Sequence, residues 1–393
     1  MSDINIVEDF VEKFKQEMKE MGHANLIIAG KTGVGKSTLI NAAFREDLAK
    51  TGIGAPVTDE SDVKMYEKPD FPLRIYDTIG LELDEEKRKR SLDDIKKICH
   101  DSKKSNDPDR FIHVMWYCVR CEDDRLEPYE ADYINEVSKE VPVILVVTKA
   151  FRKKHAERVI YSIEKRYPNL NVERKVAVLA QDEDQTDCDE DEIPKKAFGL
   201  DVLVESTAQI LPEAAQKAWC NAQKASLDLK AKKAQAIVIS TAITSFGEGY
   251  VPVPFSDAAL LVPTQIAMLA SITNIFGINV SKSLLKSIVT SLAGTAGATF
   301  AGKTIVSNLL KFIPGVGTVL GGTISGTTAA ILTVALGEAY IAIMKMIVNG
   351  EIKEKDLATK AIQDRLNNLF KERARMNKGK CSIAELKKRE EEY

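Results

Sequence analysis

The sequence predicts an α/β domain, with a mostly parallel sheet between helices, followed by an all-α hydrophobic domain. Three observations carry this. The apolar run Asn25-Leu26-Ile27-Ile28-Ala29 leads into a glycine-rich loop and then a helical segment, the order of a buried strand and its crossover. Further apolar, β-branched runs alternate with amphipathic stretches to about residue 212, which implies a parallel sheet covered on both faces. Charge is uneven: residues 236–348 hold eight charged side chains in 113 positions, against 105 in the other 280. A change of that size marks a domain of different character. With 44% apolar and 29% charged residues, the 393-residue chain is neither fibrous nor wholly disordered. A net charge of −3 lacks the basic footprint of a nucleic-acid binder, so no nucleic-acid partner is expected. Six cysteines are too sparse for a disulfide scaffold. The charged start MSDINIVEDFVEKFKQ has no apolar core of a secretory signal, so a cytoplasmic location is expected.

Each element has its reason. Residues 1–22 are expected to be an N-terminal amphipathic helix: Val7, Phe10, Val11, Phe14, Met18 and Met21 recur at helical spacing until Gly22 stops it. Residues 23–205 form the α/β domain. In it, 25–29 is a strand, Ser37–Arg45 a helix, Leu73–Tyr76 a strand and 85–100 a charged helix. Phe111–Val119 is an aromatic strand, 127–139 a helix, Val143–Val147 a strand, 152–166 a helix, Lys175–Leu179 a strand and 199–212 a helix. Residues 182–192 carry eight acids in eleven positions. Such a block repels itself and reads as a solvated insertion, not a metal site. Residues 206–235 are expected to be a helical connector, 236–348 a hydrophobic glycine-rich helical domain, and 349–393 a charged C-terminal helix.

The most specific motif is Gly30-Lys31-Thr32-Gly33-Val34-Gly35-Lys36-Ser37, followed by Thr38. It fits the phosphate-loop pattern G-x-x-x-x-G-K-[ST] at every fixed position. Glycines let successive backbone N–H groups converge on phosphate oxygens, and the next helix presents its positive end to the same anion. Lys36 is expected to reach the β- and γ-phosphates and the Ser37 hydroxyl to bind Mg²⁺. Asp77-Thr78-Ile79-Gly80 ends the Leu73–Tyr76 strand, and Thr51-Gly52-Ile53-Gly54-Ala55-Pro56-Val57-Thr58 lies between the two motifs. Thr148-Lys149-Ala150-Phe151 follows the Val143–Val147 strand, and Leu179-Ala180-Gln181 ends the last strand.

In this order, residues 24–212 resemble a P-loop GTPase of the translation-factor-related class, near the Era-like and HSR1-related G domains. The resemblance implies that Asp77 meets Mg²⁺ and that the Gly80 N–H meets the γ-phosphate. Gly54-Ala55-Pro56-Val57-Thr58 resembles the G-x-P-x-T switch loop of Era-like and septin-like GTPases. Thr58 would then ligate Mg²⁺ in the triphosphate state and act with Lys36 in catalysis, with Thr51 a weaker match. Of the base motif [NT]-K-x-D, Thr148 and Lys149 match, while Phe151 stands at the guanine-reading Asp. Of the S-A-K loop only Ala180 matches. Ile112–Cys118 with Arg125, and Phe198–Leu203 with Leu211-Pro212-Glu213, are similar to a GTPase group whose G domain carries a hydrophobic helical domain of unknown function. Val251–Asp257, Ile313–Gly317 and Ala335–Tyr340 resemble that accessory domain. The implied ligands are GTP or GDP with Mg²⁺.

Catalysis is expected to be slow. Ras-like proteins orient the attacking water with a Gln after D-x-x-G; here that place is Leu81. A switch-loop backbone, a partner chain or a second G domain in a homodimer would have to position it. Loss of the carboxylate at 151 weakens discrimination against adenine. Two other readings stand beside the GTPase: a nucleotide-binding scaffold with negligible hydrolysis, and an ATP-using P-loop enzyme. The pair Cys118-x-x-Cys121 lacks a second pair for zinc and reads as ordinary strand-end cysteines, with His113 and His155 isolated.

The apolar domain has two readings. Residues 258–281 and 312–337 are uncharged over 24 and 26 positions, longer than the roughly 20 that span a bilayer. Residues 287–302 add a third run, and Gly317 and Gly321 form a G-x-x-x-G match. A membrane lipid surface is then a partner, by hairpin insertion or peripheral docking, with the basic stretch 353–380 suiting an anionic leaflet. Against this stand many Ser, Thr and Asn, with Pro263, Pro314, Lys303 and Lys311. Those features fit a soluble bundle of helices buried all round.

Overall fold

β1 (Ala24–Gly30) is buried at all seven residues, so it needs a strand on each edge and helices on both faces. In the computed structural model, which describes residues 6–46, 55–56, 63–78, 85–182, 196–248, 257–278, 325–353, 356 and 359–392, it is the central strand. β2 (Ala55–Pro56), β3 (Val63–Lys68), β4 (Phe71–Thr78), β5 (Val114–Arg120), β6 (Val143–Thr148) and β7 (Arg174–Ala177) complete a seven-stranded sheet. Its order is β2-β3-β4-β1-β5-β6-β7. β4, β1, β5, β6 and β7 run parallel, and β2 and β3 add an antiparallel edge. Chain order reverses across β1, which makes its carboxyl end the switch point where open α/β sheets bind ligands. The glycine-rich loop leaves β1 there.

The crossover helices are α2 (Lys36–Ala43), α3 (Glu85–Lys104), α4 (Pro128–Val137) and α5 (Lys153–Arg166), after α1 (Ile6–Glu20). The strands and helices expected in the α/β domain are all present, with shifted ends, whereas the single charged helix expected over 349–393 is two helices, Lys360–Met376 and Ile383–Glu390. The aromatic strand begins at Val114, not Phe111, because Pro108–Arg110 form a short 3₁₀ turn capped by the Asp107 carboxylate. β2 and β3 escaped the sequence reading. β3 lies one strand in from the edge; Val63 is buried and the rest of the strand is partly or fully exposed, so no clean alternation marks it, and it turns into β4 at Asp70, whose φ is +59°.

The chain divides into two compact units, Met21–Ser226 and Met1–Glu20 with Leu227–Tyr393. The stretch 206–235 is therefore not one connector. α6 (Leu200–Ile210) ends before Pro212, and α7 (Glu213–Ala222) belongs to the first unit. The reason is Trp219, fully buried against Phe44 and Trp116 at ring separations of 5.3 and 5.7 Å. The exit segment is fastened to the end of α2. The Lys224 N–H donates to the Ala43 carbonyl (2.8 Å), the Arg45 N–H donates to the Ala222 carbonyl (3.0 Å), and Phe44 bridges Gln223.

The second unit holds α1, α8 (Leu227–Glu248), α9 (Asp257–Phe276), α10 (Gly326–Val348), α11 (Lys360–Met376) and α12 (Ile383–Glu390). α10 packs on α8, α9 and α11. Gly337 permits the first contact, since a Cβ there would lie 2.3 Å from Val238 Cγ2. Polar residues in these helices pair with one another: Tyr340 with Thr273 at 2.7 Å, and Thr333 with Ser245 at 3.1 Å. Buried Lys230 donates to the last carbonyls of α9, Ile275 (3.0 Å) and Phe276 (3.2 Å), where the helix dipole favours a cation. Among the described residues, one helix, Gly326–Val348, is long and apolar enough to cross a membrane; it is mostly buried inside its own unit. Much of the predicted runs, including 287–302, Gly317 and Gly321, lies outside the described residues.

Candidate functional site

The loop from Gly30 to Ser37 is shaped by three glycines at positive φ: Gly30 at 137°, Gly33 at 79° and Gly35 at 100°. Gly30 is also forced by space, because a Cβ would lie 2.3 Å from the Cys118 carbonyl oxygen. Gly35 caps α2 in the left-handed conformation, so the free amides of the first turn face the loop. Lys36 Nζ lies inside the loop, donating to the carbonyls of Gly30 (2.9 Å) and Lys31 (3.3 Å). Thr32, Gly33, Ser37 and Thr38 are largely open to solvent and Val34 is buried beneath.

Two ties hold the loop to the sheet, and sequence reasoning missed both. Buried Thr148 Oγ1 lies 2.5 Å from the Val34 carbonyl and 3.0 Å from that of Val119, within donating distance of both. Lys31 Nζ lies 3.2 Å from Glu130 Oε2. Burial alone would lower the Lys31 ammonium, but Glu130 and Tyr129 hold it above its ordinary value. Glu130 is itself only 2% exposed, and also accepts from Tyr117 (3.1 Å) and from the Glu127 N–H (2.9 Å). The capping-box spacing Glu127-Pro128-Tyr129-Glu130 was the available signal.

Asp77, at the end of β4, pairs in register with Ile28 of β1, so it stands at the same end of the sheet as the loop. Burial raises its carboxyl above the ordinary range, although Lys36 and Lys64 pull it down. Asp77 Oδ1 is buried with no hydrogen-bond partner among the described residues. A leftover carboxylate oxygen facing a phosphate loop fits a divalent cation. Thr51, Thr58, Gly80 and Leu81 lie outside the described residues.

Thr148, Lys149 and Ala180 do converge, with Gly35, Thr38 and Phe151, around a cavity of about 160 Å³. Lys149 has φ of +52°, an unusual value for a side-chain-bearing residue, and its stem passes over Gly35. Arg120 and Glu122 enter from the other wall as an ion pair, and Arg120 Nε is buried without a partner among the described residues. The sequence reading had neither, since no motif covers them.

His155 is not isolated. Its Nδ1 lies 3.9 Å from Cys121 Sγ and its Nε2 2.5 Å from Asp124 Oδ1. The trio is no nucleophile: burial, with Asp124 and Glu122 nearby, pushes the Cys121 thiol up to about 11, where thiolate is scarce. His113 is not isolated either, since its Nδ1 accepts from the Asn25 N–H at 3.0 Å.

Residues 25–149 match the 50S ribosome-binding GTPase family, and residues 215–371 match a domain of unknown function (DUF697). The chain is similar to Magnetosome membrane protein 22 of Magnetospirillum gryphiswaldense, at 31% identity over 108 residues, 28% of this chain and 55% of that protein. It is 24% identical to Septin-9 of Rattus norvegicus over 179 residues, 39% of this chain and 31% of that protein. The match to the septin GTPase domain from Chlamydomonas reinhardtii has 21% identity and a TM-score of 0.28, over 49% of this chain and 71% of that one. The chain thus spans about half the length of the first of these relatives and about a third of the second. Fold, phosphate loop and family match agree: residues 25–149 form a P-loop domain similar to the 50S ribosome-binding GTPase family, followed by a helical region that matches a domain of unknown function.

Proposed function

We propose that the protein is a slow, Mg²⁺-dependent GTPase whose nucleotide state controls its apolar helical unit at a membrane. The observation that carries this is the pairing of a glycine-shaped phosphate loop with an Asp77 oxygen that has no partner among the described residues, at the sheet's switch point. In this reading Lys36 leaves the two loop carbonyls and, with the amides of Gly33 to Thr38, holds the β- and γ-phosphates. Ser37, Thr58 and Asp77 would hold Mg²⁺, which when bound neutralises phosphate charge. Gly80 would meet the γ-phosphate, and Thr148, Lys149 and Ala180 the base. Leu81 offers no side chain to orient water, which supports slow turnover.

Coupling to the second unit has a covalent route. α2 begins at the phosphate loop and is followed by Phe44, which is bridged to Gln223, four residues before α8 begins at Leu227. A state-dependent shift of α2 would be felt there, provided GTP binds one arrangement better than the other. The apolar α10 and the printed name of the magnetosome relative support the membrane part.

Steady-state phosphate release with GTP and with ATP, each with and without Mg²⁺, tests the chemistry. GTP turnover that needs Mg²⁺ and vanishes in Lys36→Ala is expected. Nucleotide affinity equal to wild type in Lys36→Ala would overturn the phosphate-loop assignment. Binding without turnover would favour the scaffold, and equal use of ATP the adenine enzyme. Liposome co-sedimentation should differ between GTP-analogue and GDP forms, with the difference lost in Thr58→Ala. Equal sedimentation would remove the switch, and none at all would favour a soluble bundle.

A further inference from the structure

A second charged site lies in the helical unit. Lys232 of α8, Lys345 of α10, Arg373 of α11 and Arg389 of α12 line a cleft of about 420 Å³ that contains one carboxylate, Glu338. That volume lies within the range of small-molecule sites.

Glu338 is already engaged. It accepts from Arg389 Nη2 (3.1 Å), Asn377 Nδ2 (2.9 Å) and Gln235 Nε2 (3.3 Å). The other cations have little to satisfy them. Lys345 reaches Asp228 at 3.3 Å, but Asp228 is 92% exposed, and such pairs contribute little. Lys232 has no partner among the described residues. Among the described residues, Arg373 Nε is buried with no hydrogen-bond partner, and its Nη1 approaches only the Met376 sulfur, at 3.9 Å.

Placement argues against accident. α10 carries two charged side chains in 23 residues, Glu338 and Lys345, and their spacing of seven puts both on the face that lines this cleft. An otherwise apolar helix thus brings both of its charges to one place, beside cations from three other helices. Four like charges in a shared cleft repel, and a buried guanidinium donor left unpaired is costly.

We propose that this cleft binds a phosphorylated anion, a phosphate monoester held by Arg373 and the two lysines, separately from the nucleotide site. A guanidinium presents parallel N–H donors that match phosphate oxygens, and each ammonium adds a charge-assisted bond. Arg389 stays on Glu338 and shapes the wall. The same chemistry serves a lipid headgroup or a soluble phosphate ester.

The test uses the full chain saturated with GDP and Mg²⁺, so that the phosphate loop is filled. Calorimetry with inositol trisphosphate and with inorganic phosphate reads the soluble source. Co-sedimentation with phosphatidylcholine vesicles, with and without a phosphoinositide, reads the lipid source. Saturable binding of any of these is expected, weakened roughly tenfold or more in Lys232→Glu and in Arg373→Gln, with GDP affinity unchanged. Lys378→Glu, outside the cleft, should leave it alone. Phosphoinositide-dependent sedimentation would assign the lipid source, and calorimetric binding without it the soluble one. Absence of saturable binding for every probe overturns the site. So does equal weakening by Lys378→Glu, which would mean diffuse attraction to a basic surface, and so does wild-type binding in both cleft variants. Lys232 is exposed, so its variant keeps the test valid should Arg373→Gln unfold.

Discussion

Thr148→Val removes one hydroxyl from the tie between the phosphate loop and the sheet and keeps the shape of the side chain. In the native fold that hydroxyl lies between the Val34 and Val119 carbonyls at 2.5 and 3.0 Å, in a residue 3% exposed. Valine leaves these acceptors without that donor where little water can replace it, a cost of about 1–3 kcal/mol. For a unit of this size each kcal/mol lowers Tm by about 2–4 °C, so a drop of about 2–12 °C is expected. Val34 is part of the phosphate loop, so the same change should weaken GDP binding, by about tenfold for each 1.4 kcal/mol spent on restoring the loop. Thr148→Ser retains the hydroxyl and should recover most of both losses. Thermal melts with and without GDP, and calorimetry, read these numbers. A valine variant with wild-type Tm and wild-type GDP affinity would refute the idea that this bond sets the loop.

Phe151→Asp should widen the preference for GTP over ATP, measured as a ratio of Kd values; an unchanged ratio would mean that position 151 does not face the base. Burial lowers His113 to about 4, below its ordinary 6.5, so the unfolded chain binds the extra proton first. Its contribution is therefore whole above about pH 6.5 and is lost as pH falls toward 4. Denaturant titrations of wild type should show the first unit losing a few kcal/mol across that window, and His113→Asn should flatten the loss. Gly337→Ala should destabilise the second unit by about 1–3 kcal/mol through overpacking against Val238, with Val238→Ala restoring part of it; a neutral Gly337→Ala would mean that α8 and α10 separate freely.

The phosphate loop, Asp77 and the sheet were legible in the sequence because each rests on local rules. Glycine at positive φ, an apolar run of strand length and a polar residue at a strand end are visible within a few residues. What stayed hidden depends on distant partners. Glu130 looked like one more helix acid until Lys31, 99 positions away, was found on it. Arg120 and Glu122 carry no motif, and their place beside Phe151 follows from the register of β5 on β6. Trp219 read as part of a connector because its partners, Phe44 and Trp116, come from other elements. β3 was missed because a strand next to the sheet edge, with exposed charges, does not alternate cleanly.

That aromatic cluster has an optical consequence. The chain has two tryptophans, and both lie in it, each with its indole N–H bonded: Trp116 to Thr207 Oγ1 at 3.0 Å and Trp219 to the Val204 carbonyl at 2.9 Å. Tryptophan emission therefore reports the first unit alone, while the helical unit stays dark at that wavelength and contributes to far-ultraviolet dichroism together with the first unit's helices. Two perpendicular indoles 5.7 Å apart also couple as transition dipoles. Their near-ultraviolet ellipticity should collapse as soon as Phe44, at the far end of the phosphate-loop helix, withdraws from between α7 and the sheet. Melting of the first half can thus be followed apart from that of the whole chain, with no label attached.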